Sequence, residues 1–146
     1  NGSVLDDDHV LALFYNTLGA EALIRADYPA SFRYLVGAIE ADADVSHAWV
    51  NLGVLYRRLG HLPLAEAAYG EALKASPGDG SALSNLASLA ARLGNEAAAA
   101  DYRQMIRHYQ RRNPYYHYFR AREAFAESRF EEAGKAFDEA PVEAGE

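Results

Sequence analysis

The sequence predicts an all-α solenoid of stacked helix–turn–helix units, and three observations carry that expectation. Alanine is abundant, prolines number only 5 in 146 residues, and apolar side chains recur at helical spacing along most of the chain, as in helices that bury one stripe. Small residues return every 34 residues, a period that belongs to repeat arrays. Turn signals return with them, at Asp27-Tyr28-Pro29, at Leu59-Gly60-His61-Leu62-Pro63 and at Gly94-Asn95.

Counted outward from Trp49, the period divides the chain into four units, 12–45, 46–79, 80–113 and 114–146, within a single domain 1–146. One small slot of the first helix of each unit holds Gly19, Gly53, Ala87 and Ala121. Two slots of the second helix hold Ser31, Ala65, Ala99 and Ala133, then Ala38, Ala72, Ile106 and Ala140. Eleven of these twelve residues are small, as close helix approach requires.

The first helix is expected to open after Asp6-Asp7-Asp8, whose carboxylates suit a helix N-terminus. Val10, Leu11, Phe14 and Leu18 then form its apolar series, and Ala30 to Ala41 the second helix. A metal reading of the three aspartates with His9 is the weaker alternative. Asp42-Ala43-Asp44 links to the second unit, with no further ligand near enough for a calcium loop.

In that second unit Trp49, Leu52, Leu55 and Tyr56 make the buried stripe of the first helix, and small Gly53, Ala65 and Ala72 let the pair close up. Gly60 suits a left-handed C′ position, and Pro63 the start of the next helix, where its missing N–H costs little. The third unit keeps Leu83, Leu86, Ala87 and Ala90, but Arg103 stands in its aromatic slot and Arg111 in its proline slot. No breaker precedes Asn113-Pro114, so a longer helix is expected from about Glu96 to Arg112, with Tyr102 and Met105 filling the aromatic's space. The fourth unit opens Pro114-Tyr115-Tyr116-His117-Tyr118-Phe119 and recovers the pattern at Phe130, Ala133, Phe137 and Ala140. No polar capping helix follows it, although a terminal repeat needs one.

Trp49, Leu52, Gly53, Tyr56, Ala65, Tyr69 and Pro77 match, almost residue for residue, the pattern W-x2-L-G-x2-Y, A-x3-F, P. The chain therefore resembles the tetratricopeptide repeat (TPR) family over nearly its whole length. The resemblance implies a right-handed superhelix whose first helices line a concave groove that binds protein segments. More loosely, YNTLGAEAL, WVNLGVLYRRLG and RRNPYYHY resemble repeat regions beside transglutaminase-like domains in bacteria.

Carried over slot by slot, the resemblance puts Asn51 and Asn85 in the groove one period apart, as a short amide ladder for a peptide backbone. Arg57, Arg58 and Arg92 follow as partners for carboxylates, or for acids on neighbouring helices, and Arg122 fills a groove slot of the fourth unit. Tyr115, Tyr118 and Phe119 form an aromatic stretch, either at one end of the groove or packed on the preceding helix. The set that clamps chaperone C-termini is missing: its slots hold Asn16, Ala20, Asn51, Ser81 and Asn85, of which only Asn51 agrees.

The net charge of −7 argues against general affinity for nucleic acid or membrane surfaces. Residues 92–122 nevertheless carry seven Arg against Glu96 and Asp101, a patch that reads as a solvated face or as a site for an acidic partner. No apolar run reaches a membrane span, and the absence of cysteine leaves the compartment open. The five histidines are scattered, and no nucleophile elbow, metal spacing or phosphate loop occurs.

The expectation is a non-enzymatic module, without cofactor, that binds an extended peptide or partner segment in its groove, with an acidic partner as one alternative. Its rivals are an accessory scaffold region of a larger bacterial enzyme or secretion protein, and self-association through the uncapped C-terminal helix at Phe130 and Phe137. Asn1-Gly2-Ser3 reads as an added remnant or as the cut edge of a longer protein.

Overall fold

Three of the described helices are followed by a residue in the left-handed region, and Asp79 in the linker after the fourth caps the helix that follows. The computed structural model describes residues 2–113, 115, 121, 122, 124 and 125, with side chains described from Asp7 onward. Six helices lie among them: α1 (Gly2–Ile24), α2 (Tyr28–Ala41), α3 (Ser46–Arg58), α4 (Leu62–Ala75), α5 (Gly80–Arg92) and α6 (Glu96–Arg112). The chain divides into two compact units, Asn1–Arg107 and His108–Glu146. The expected repeat at 114–146 falls almost wholly outside the described residues.

The three hairpin turns are built alike. Ala26, Gly60 and Gly94 adopt φ of 59°, 81° and 80°. The next N–H in each case reaches back five residues, Asp27 to the Ala22 carbonyl (2.8 Å), His61 to Tyr56 (2.9 Å) and Asn95 to Ala90 (2.8 Å). With the shorter bonds Ala26–Leu23, Gly60–Arg57 and Gly94–Ala91, this is the Schellman arrangement that satisfies the last carbonyls of a helix. Asp27 and Asn95 then cap the following helices by accepting from the backbone N–H groups of Ala30 and Ala98, whereas His61 offers no side-chain cap. Pro29 and Pro63 sit in the first turns of α2 and α4, where no hydrogen bond is lost.

Packing within a unit follows the small slots. A Cβ at Gly19 would lie 2.7 Å from the Leu35 side chain, and one at Gly53 would fall on the ring of Tyr69. Both large residues are fully buried, so each is a knob seated against a glycine. Ser31, buried on α2, donates to the Gly19 carbonyl at 2.9 Å and so brings its hydroxyl inside without a penalty. Between units, Val45 and Ala48 pack with Ala12 and Ala38, Leu52 and Leu55 with Leu23 and Leu35, and Ala82, Leu86 and Leu89 with Val50, Tyr69 and Ala72. Ser46 donates at 2.7 Å to Asp79, whose other oxygen caps α5 at Ala82.

Three expectations need correction. α1 begins at Gly2, so Asp6, Asp7 and Asp8 are interior helix positions and not its cap. The apolar series of α1 is not its buried face, since Val10, Leu11 and Phe14 are exposed and the buried positions are Ala12, Gly19, Ala22 and Leu23. In α6, which runs from Glu96 to Arg112 and exceeds α2 and α4 in length, Tyr102 packs against the core but Met105 is exposed. Arg103 is exposed as well, at 3.6 Å from Glu96. Together with Ser84, Ala87, Ser88, Ala91 and Ile106 it borders an open cleft of about 330 Å3.

Candidate functional site

The groove candidates divide according to what already satisfies them. Asn51, half-buried on α3, donates its amide to Asn16 Oδ1 of α1 at 2.9 Å. Among the described residues nothing else bonds to this pair, so the Asn51 oxygen and the Asn16 nitrogen keep an acceptor and a donor open. An amide pair of that kind can meet the N–H and C=O of an extended chain.

Asn85 is used differently. Its oxygen accepts from Arg57 Nη1 at 3.3 Å and from the Tyr69 hydroxyl at 3.4 Å, while its nitrogen donates to the Ser81 carbonyl one turn earlier at 2.8 Å. Burial pushes the Tyr69 hydroxyl above its ordinary range, against a smaller opposing pull from Arg57, so the phenol stays neutral and remains a donor. Asn51 and Asn85 are thus one period apart but make no bond to each other: the first is tied to α1, the second to α4 and to Arg57.

Arg57 is half-buried and has no carboxylate within ion-pair distance among the described residues. Its guanidinium is held in place by a neutral amide, and its charge is free for a ligand. Arg58 is committed: it donates to the Leu23 carbonyl near the C-terminus of α1 at 3.0 Å, where a cation also meets the negative end of the helix dipole. Arg92, exposed in the last turn of α5, has no bonded partner among the described residues. Farther along, Tyr115 and Arg122 are exposed and belong to the second compact unit, while Tyr118, Phe119, Phe130 and Phe137 lie outside the described residues.

Sequence reasoning missed two participants. Asn16 occupies a chaperone-clamp slot, but it lies 35 residues before Asn51, one more than the period, so slot counting does not show the two as partners. The Tyr69 hydroxyl was hidden because the aromatic slot reads as core, and only the structure brings its oxygen to Asn85. His9, considered with the aspartates for a metal, instead donates from Nδ1 to Asp42 at 3.0 Å. Among the described residues no group of three or more acidic or histidine side chains could hold a metal ion, and no helix is long and apolar enough to cross a membrane.

The chain was compared with known proteins. The family model described as Tetratricopeptide repeat matches it twice, over residues 17–79 and 50–107. No curated protein matches the chain.

Proposed function

The chain belongs to the tetratricopeptide repeat family, whose repeats are generally protein–protein interaction modules, and from that premise we propose that it holds an extended segment of a partner protein against α1, α3 and α5. The single observation that carries this reading is the Asn16–Asn51 amide pair with its open donor and acceptor, close in sequence to the uncompensated Arg57. In this reading Asn16 and Asn51 hold the segment's backbone, and Arg57 and Arg92 take its carboxylates, so an acidic segment is preferred. Asn85 does not touch the ligand; it fixes Arg57. The reading rests on residues of the first compact unit alone; Tyr115 and Arg122 belong to the second, and Tyr118 and Phe119 lie outside the described residues. The chain does no chemistry of its own.

The test is binding to an array of extended peptides that differ in acidic content, for wild type, Asn51→Ala and Arg57→Gln, with circular dichroism as the check on folding. Loss of most binding in Asn51→Ala, and loss of the acidic preference alone in Arg57→Gln, supports the reading. Unchanged binding in both variants removes the groove as the site.

A further inference from the structure

The first helices of the second and third units pack on the preceding unit through three shared slots and, before α3, through the N-cap residue as well. For α3 these are Val45, Ala48, Leu52 and Leu55, all buried, against Ala38, Leu35 and Leu23. For α5 the last three are Ala82, Leu86 and Leu89, also buried. One period earlier, on α1, the slots hold Leu11, Phe14, Leu18 and Glu21. Here Phe14 is 58% exposed, its neighbour Val10 is 62% exposed, and Glu21 is exposed.

Another unit of the same make does not fit this face. Ala48 and Ala82 are completely covered, and a phenylalanine in that slot, far larger than alanine, holds a neighbour off. Leu55 and Leu89 are buried, and a carboxylate there would be desolvated without a partner. Yet the face is not a polar end cap either, because Val10, Leu11 and Phe14 leave two turns apolar.

We infer that this face takes one amphipathic helix of a partner protein, crossing α1 at Phe14 with a glycine or alanine against the ring and basic residues toward Asp7 and Asp8. Residues seven apart on a helix differ by only about 20° in direction and about 10 Å along the axis. Asp7, Phe14 and Glu21 therefore share one line, with exposed Asp7 at its start and exposed Asp8 about 100° further round the same turn. Arg25 stands one turn past Glu21 and offsets it, so the negative field is concentrated at the Asp7 end. A second copy of this chain is a poor occupant. Pairing α1 antiparallel about Phe14 sets Asp7 against Glu21, parallel pairing sets Asp7 against itself, and either way two bulky rings meet at the crossing. The site is independent of the groove reading, since Asn16 projects about 200° around the helix from Phe14.

The experiment uses two synthetic helical peptides with the same alanine–leucine face, one flanked by lysines and one by glutamates, titrated by fluorescence anisotropy. The expected result is that the lysine peptide binds at least roughly tenfold tighter than the other, as rim charge of this kind allows. Phe14→Ala should weaken it by roughly thirtyfold, as loss of an aromatic anchor does. Asp7→Lys/Asp8→Lys should reverse the preference, and Phe14→Leu should retain partial binding with unchanged helicity. Equal binding of the two peptides, no binding of either, or indifference to Phe14→Ala overturns the inference. So does a dimer in sedimentation that Phe14→Ala abolishes, because a second copy would then cover the face.

Discussion

Gly53 and Ala87 stand one period apart on α3 and α5, and opposite them, again one period apart, stand Tyr69 and Arg103. On α4 the ring lies against the glycine, fully buried. On α6 the arginine stays in water beside an open cleft. The turns before α4 and α6 are alike to a tenth of an ångström in their longest bond, so the backbone plan is the same and the interlocking is not. Turn geometry alone makes a repeat recognisable; the large side chain in the second helix makes it tight.

Breaking that contrast gives the largest expected effect. Tyr69→Ala should lower stability by about 3–5 kcal/mol, as large aromatic truncations in a core do. Arg103→Ala should stay within about 0.5 kcal/mol, in keeping with an exposed site. Urea denaturation of both variants checks the pair, and equal losses would show that the third unit is as closed as the second. Gly53→Ala comes next, at about 1–3 kcal/mol lost through overpacking on the Tyr69 ring. The reverse change Ala87→Gly should cost only about 1 kcal/mol, the helix-propensity difference. The same denaturation series measures both.

The turns sharpen the comparison further, because the first unit uses Ala26 where its successors use Gly60 and Gly94. A left-handed backbone strains any residue with a Cβ, so Ala26→Gly should gain roughly 1 kcal/mol and Gly60→Ala should lose a similar amount. Thermal midpoints moving in opposite directions are the readout. The smallest effect concerns the exposed link between α1 and the end of α2. The hydrogen bond from His9, then that from the Asp44 N–H, holds the Asp42 carboxyl below its ordinary value of 3.8. A depressed carboxyl contributes stability that is complete above that value and is lost as pH falls through the folded one. Asp42→Asn should therefore flatten the acid limb of stability, and an exposed pair limits its cost at neutral pH to about 0.3 kcal/mol. Acid titrations of the two proteins test this.

The helix pairs were legible in the sequence because their punctuation is local, Gly60, Gly94 and Pro63 each acting on the next few residues, and because the small slots recur at a fixed period. The start of α1 was not, since three aspartates look like a cap whenever the helix before them cannot be seen. Nor was its exposed face, because periodicity reports which residues are apolar and not whether a neighbour covers them. Half of the candidate site was legible. Asn51 and Arg57 follow from the groove slots that the family resemblance implies, whereas the pairing of Asn16 with Asn51 does not. Asn85's role as a support depends on a hydroxyl from α4 and a guanidinium from α3, contacts that only tertiary packing creates.

Asp79 closes α5 with one carboxylate oxygen and holds Ser46 of α3 with the other. In an array whose units touch only their neighbours, cooperativity is the sum of such junctions. This one carboxylate ties the cap of α5 to the first turn of α3, so a change at Asp79 acts on a helix end and on a unit junction together.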